Sequence, residues 1–166
     1  MTLFEVIQKL KDIALQQPNV RSVSDGDIYE TLNANPSSVY SIFHITQQTH
    51  REDEDYDYWG FNLFYVDRLT DDYQNRLQIQ SIGKSVLSNV VRIFCEQNDI
   101  DFPDETQISF NSFTEKFVDL TAGMYCNLTL TIPKNLICGD EYEAPIIEID
   151  KNGTYYIGGY KVKVEI

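Results

Sequence analysis

The order of elements that the sequence predicts is a helix, a hairpin, a long helix and then antiparallel strands. That order defines an α+β fold: a single domain over residues 1–166, with an antiparallel sheet packed by an N-terminal helix and a long central helix on one face. Three observations carry it. Apolar residues recur at helical spacing near the N-terminus and again over 75–97. Two β-branched and aromatic runs flank the acidic stretch at 52–57. The C-terminal half alternates apolar and polar residues, most cleanly at Cys126, Leu128, Leu130 and Ile132.

The first helix opens on Thr2-Leu3-Phe4-Glu5, a capping box in which the Thr hydroxyl and the Glu carboxylate each satisfy a free backbone amide. Leu3, Val6, Ile7, Leu10, Ile13 and Ala14 form its stripe, and Pro18 ends it after about Gln17. Val20 and Val23 mark a short extended piece, Ser24 to Asp27 a turn, Ile28 to Leu32 a helical turn, and Asn33 to Ser38 a loop. Val39–Thr49 and Tyr58–Val66 read as antiparallel partners, with Trp59, Phe61, Leu63 and Tyr65 on one face. The central helix, from about Asn75 to Gln97, presents Ile79, Ile82, Val86, Val90 and Ile93, and Gly83 within it permits close approach of a strand. Asn98 to Glu105 is loop, Ile108 to Phe113 a strand, and Pro133 closes the alternating strand. Asn152-Gly153 between apolar runs predicts a terminal hairpin, followed by Tyr160, Val162, Val164 and Ile166 facing inward.

Composition excludes more than it assigns. The 13% aromatic fraction gives a chain of this length material for a packed core. No apolar run reaches the roughly 20 residues of a membrane helix, and MTLFEVIQKLKD is not a signal peptide. A net charge of −13 with singly scattered Lys and Arg argues against binding nucleic-acid phosphates or anionic membranes. Cys95, Cys126 and Cys138 have no zinc or CxxC spacing and read as reduced, mostly buried thiols.

No catalytic residue is identified: the acids sit in loops, and Ser85 and Ser88 lack a base nearby. His44 reads as a packed or hydrogen-bonded strand residue. His50 precedes Glu52, Asp53, Glu54, Asp55 and Asp57, and together they offer cation ligands. The calcium-loop pattern is broken, however, because Tyr58 stands where glycine is needed and no glutamate follows in place. The run therefore reads as a solvated hairpin tip with no metal and no cofactor. Asp67-Arg68 reads as an internal salt bridge or a cap on the strand-to-helix turn. Tyr155, Tyr156 and Tyr160 suit either an interface or plain strand propensity.

Two stretches carry a resemblance. Val66-Asp67-Arg68-Leu69 leads through Asp71, Asp72 and Asn75 into a helix holding Gln80-Ser81, and Phe117-Val118-Asp119-Leu120-Thr121-Ala122-Gly123-Met124-Tyr125 runs into the alternating strand. Together they resemble the neck and tail-completion proteins of tailed bacteriophages, particularly phages of Bacteroides-type hosts. The resemblance implies a tail-terminator-like fold and a structural, non-enzymatic virion protein assembled in the bacterial cytoplasm. It implies a homo-oligomeric ring, of about 6 or 12 copies by the rotational symmetry such rings need, at the head–tail junction or tail end. The ring would contact other neck, portal-side or tail proteins and surround DNA that passes without being specifically bound. On that reading Glu52, Asp53, Glu54, Asp55 and Asp57 line a channel, while Trp59, Tyr155, Tyr156 and Tyr160 serve interfaces. The alternative is a soluble acidic DNA mimic that inhibits a host nucleic-acid enzyme; acids spaced along helices would favour it. A small enzyme, the third reading, requires a buried, shifted acid or histidine in a pocket.

Overall fold

The computed structural model of the chain describes residues 1–34, 39–70, 72–104, 106–116, 119–134, 147–149, 155–157 and 160–162. In chain order the elements are α1 (Leu3–Leu15), β1 (Ser22–Asp25), α2 (Ile28–Ala34), β2 (Ile42–Glu52), β3 (Tyr56–Arg68), α3 (Arg76–Gln97), β4 (Ile108–Lys116), β5 (Leu120–Pro133), β6 (Ile147–Ile149), β7 (Tyr155–Ile157) and β8 (Tyr160–Val162). The α+β class is as expected. Five strands form one sheet in the order β1-β2-β3-β5-β4, and β6-β7-β8 form a second.

The capping box forms as its residues dictate. The Glu5 N–H donates to Thr2 Oγ1 at 3.3 Å, and the Thr2 N–H donates to Glu5 Oε2 at 2.6 Å. Val6, Leu10, Ile13 and Ala14 are the buried stripe of α1. The helix stops at Leu15, before the predicted Gln17, because the chain tightens there: the Gln16 N–H donates to the Ile13 carbonyl at 3.2 Å and the Gln17 N–H to the Ala14 carbonyl at 3.0 Å. In α3, Ile79, Val86, Leu87, Val90, Val91 and Phe94 are buried. This face packs on β3 and β5, while α1 packs on α3 and on β1 and β2.

Strand alternation sets the two faces of the sheet. Phe43, Ile45, Phe61, Leu63, Tyr65, Cys126, Leu128, Leu130 and Ile132 join the helices in the main core. Gly83 makes the predicted close approach: a Cβ there would lie 2.9 Å from Tyr65 Cδ1 and 3.0 Å from Met124 Cβ. On the opposite face Ile42 and Val66 form a smaller core with Ile28 and Leu32 of α2.

Three expectations need correction. The sheet is mixed, since β1 pairs with β2 in parallel. A parallel neighbour requires a crossover, which α2 supplies. Helices therefore cover both faces, with α2 opposite α1 and α3. Finally, the C-terminal strands build a separate three-stranded sheet. The predicted Asn152-Gly153 turn lies outside the described residues, although β6 and β7 do pair antiparallel. Val164 and Ile166 of the predicted inward set and the thiol of Cys138 are likewise outside them, as are the side chains of Tyr160 and Val162 in β8.

Candidate functional site

The β2–β3 hairpin pairs continuously from Ile42↔Val66 to Glu52↔Asp57, with one irregularity between Gln47 and Thr49. Its closed end is therefore narrower than the predicted tip and holds only residues 53–55 between the strands. That turn is organised by Asp53. Its carboxylate accepts the Asp55 N–H at 3.0 Å, the Tyr56 N–H at 2.8 Å and the Tyr58 hydroxyl at 2.7 Å. These bonds, first the Tyr58 hydroxyl, hold the Asp53 carboxyl below its ordinary range. Glu52, Asp53, Glu54 and Asp55 are exposed, as expected of a solvated tip. Lys134 lies 3.4 Å from Glu52 Oε2 and partly offsets this charge.

Asp57 departs from the expectation. It lies in phase with Trp59, Phe61, Leu63 and Tyr65 on the core side of β3, and is only 6% exposed. A carboxylate taken so far from water needs a partner. His50 Nε2–H donates to Asp57 Oδ1 at 2.9 Å. The Trp59 indole stacks on the His50 ring, centroids 4.0 Å apart and planes within 12°. Trp59 also packs against the main core while remaining partly exposed. Its Nε1 is buried and has no hydrogen-bond partner among the described residues. His50, Glu52 and Asp57 each offer one ligand atom, all within 4.8 Å of one another. The sequence signal for this grouping was the spacing of His50 and Glu52 two residues apart, mirrored across the turn by Asp57.

Tyr155 and Tyr156 fall in β7 and Tyr160 in β8, where side-chain positions lie outside the described residues. A different aromatic group went unpredicted. Phe64, Phe113 and Tyr125 meet on the sheet face opposite α3, with ring centroids 5.6 to 6.4 Å apart. They come from three strands, so no local pattern marks them.

His44 is buried and hydrogen-bonded as predicted. Nε2–H donates to the Gly26 carbonyl at 3.1 Å, which leaves Nδ1 to accept the Ser24 hydroxyl at 2.8 Å. Gly26 holds φ +109°, a conformation that glycine tolerates. Burial lowers the His44 pKa from 6.5, outweighing the pull of the Gly26 carbonyl, Asp25 and Asp27. The unfolded chain then binds more protons than the folded one once pH falls below about 6.5, so His44 removes stability as pH drops. The expected slope is at most about 1.4 kcal/mol per pH unit for this one group. Denaturation midpoints measured from pH 7.5 to 5 should fall more steeply for the parent than for His44→Gln.

The Asp67-Arg68 pair is not a salt bridge. Asp67 accepts the Arg68 backbone N–H at 2.8 Å, whereas the Arg68 guanidinium donates to Asp119 Oδ2 at 2.7 Å. The turn into α3 is ordered instead by Asn75, whose Oδ1 accepts the Thr70 N–H at 3.0 Å and whose Nδ2 donates to the Arg68 carbonyl at 3.1 Å. The thiols of Cys95 and Cys126 are buried, and desolvation pushes them up to about 11 and about 12. No protein-family model matches the chain, and no curated protein matches it.

Proposed function

We propose that the chain is a structural virion subunit that forms a homo-oligomeric ring, with tail-terminator-like organisation, at the head–tail junction or tail end of a tailed phage. The observation that carries this reading is the outer edge of β4, which has no strand partner among the described residues. Ile108–Lys116 pairs with β5 on one side and ends the five-stranded sheet on the other. A nine-residue edge leaves backbone donors and acceptors in a row, ready for a strand from a neighbouring subunit. A ring needs such a heterologous contact, one patch on each copy meeting a different patch on the next. The aromatic group of Phe64, Phe113 and Tyr125 lies beside this edge and supplies apolar area for it. The two stretches that carry the resemblance also touch, through Arg68 and Asp119.

The acids fit the same reading. Glu52, Asp53, Glu54 and Asp55 concentrate exposed negative charge at one hairpin end, which would face DNA that must pass without sticking. Only one acid, Glu96, lies in α3, so the long helix lacks the regular acidic spacing of a DNA mimic.

Native mass of the purified protein at assembly-like concentration tests the proposal. A closed ring of about six copies would favour a tail terminator, and about twelve a ring beneath the portal. A monomer that also fails to associate with purified neck and tail proteins would sink the proposal and favour the acidic inhibitor. Within a ring-forming phage, Glu52→Gln, Asp53→Asn, Glu54→Gln and Asp55→Asn together should slow genome delivery several-fold at unchanged particle yield. Delivery at the parental rate would remove the channel role from this loop.

A further inference from the structure

We propose that His50, Glu52 and Asp57 form a binding site for a divalent transition-metal ion, zinc by preference, at the closed end of the β2–β3 hairpin. Two strands converge to build it. Glu52 and Asp57 are directly opposed across the ladder, and His50 lies two residues before Glu52 on the same face. One imidazole nitrogen and two carboxylates form a mixed N/O set of the kind zinc accepts, and one that pure oxygen seekers such as calcium do not prefer.

The spacing suits a shared ion. Donor atoms bound at about 2.1 Å to one metal sit about 3.0–3.4 Å from each other. His50 Nε2 and Asp57 Oδ1 are 2.9 Å apart, so a metal can take the place of the shared proton, which moves to Nδ1 of the ring. The third ligand atom, from Glu52, lies within 4.8 Å of the others. It is drawn at present toward Lys134, which an incoming cation would displace.

Two further observations point to a ligand. Asp57 is a charged side chain with 8% exposure, faced by an imidazole rather than by a fixed cation. Trp59 Nε1, in the ring stacked on His50, is a buried N–H with no acceptor among the described residues. Three protein ligands leave a zinc ion at least one open position for water. The stack itself fixes the imidazole plane, as supporting groups do around metal-ligating histidines.

The site does not depend on the ring reading, and its test is separate. Trp59 is the only tryptophan of the chain, so indole fluorescence reports this site alone. Chelator-treated full-length protein should show saturable quenching by Co²⁺, reversed by stoichiometric Zn²⁺. His50→Gln, which keeps Asp57, and Asp57→Asn, which keeps the shape, should each weaken Co²⁺ binding at least ~100-fold, more than the loss of a supporting group costs. Absence of saturable quenching at millimolar Co²⁺ would overturn the proposal. So would equal quenching in parent and both variants, which would place the ion outside this cluster.

Discussion

Replacing Phe94 with alanine should cost about 3–5 kcal/mol, enough to consume much of the roughly 5–15 kcal/mol that holds a domain folded. Phe94 is fully buried in the last turns of α3, inside the core shared with α1 and the sheet. Truncation removes the transfer energy of the ring and leaves a cavity that rigid strands β3 and β5 cannot close. Alanine is the better helix former, but that gain is only a few tenths of a kcal/mol (about 0.5) and does not alter the outcome. Leu77, in the first turn of the same helix, is 72% exposed. Leu77→Ala should therefore shift stability by no more than about 0.5 kcal/mol. Urea denaturation of the two variants beside the parent checks the pair. Similar losses would mean that α3 does not pack on the sheet by its Phe94 face.

Those same residues show why the helices could be read in advance. A stripe at 3.6 spacing has one physical outcome in a domain of this size, burial against a sheet. β5 was legible for the matching reason, since Cys126, Leu128, Leu130 and Ile132 leave no other face to bury. The parallel strand was not. β1 has four residues, with Val23 its one aliphatic side chain, and its pairing is decided by a crossover through α2 that no local pattern encodes. Asp57 failed differently. The acidic run was read as a unit, because clustered charges repel and stay in water. A hairpin, however, assigns each residue its own face, and the two-residue phase of Trp59, Phe61, Leu63 and Tyr65 continues back to Asp57. His50 was needed to make that burial tolerable, and its position depends on the register across the turn. The Arg68–Asp119 contact likewise joins positions far apart in sequence, which spacing alone cannot pair.

Glycine in a strand ordinarily weakens it, so Gly→Ala is expected to stabilise by about 0.5–1 kcal/mol. At Gly123 the sign should reverse. A Cβ built there would overlap the Tyr65 carbonyl oxygen and lie 2.7 Å from the Phe113 ring. The carbonyl is backbone, and no rotamer change moves it. Nor can β5 shift aside, because it is paired along its length with β3 on one side and with β4 on the other. Gly123 thus marks a place where another backbone comes too close for any side chain. Gly123→Ala should cost about 3 kcal/mol, the upper end of what overpacking a core usually costs, and Gly123→Val should fail to accumulate as folded protein. Asn127→Ala on the same strand, where the side chain is exposed, should cost no more than about 0.5 kcal/mol. The measurement is chemical denaturation of the three variants, with near-ultraviolet circular dichroism to confirm native packing. A Gly123→Ala protein as stable as the parent would mean that β3 and β5 lie farther apart at this point than the ladder from Tyr56↔Pro133 to Arg68↔Thr121 requires. The aromatic group formed by Phe64, Phe113 and Tyr125 would then lose the close packing that brings Phe113 over Gly123, and with it the shape of the surface beside the β4 edge.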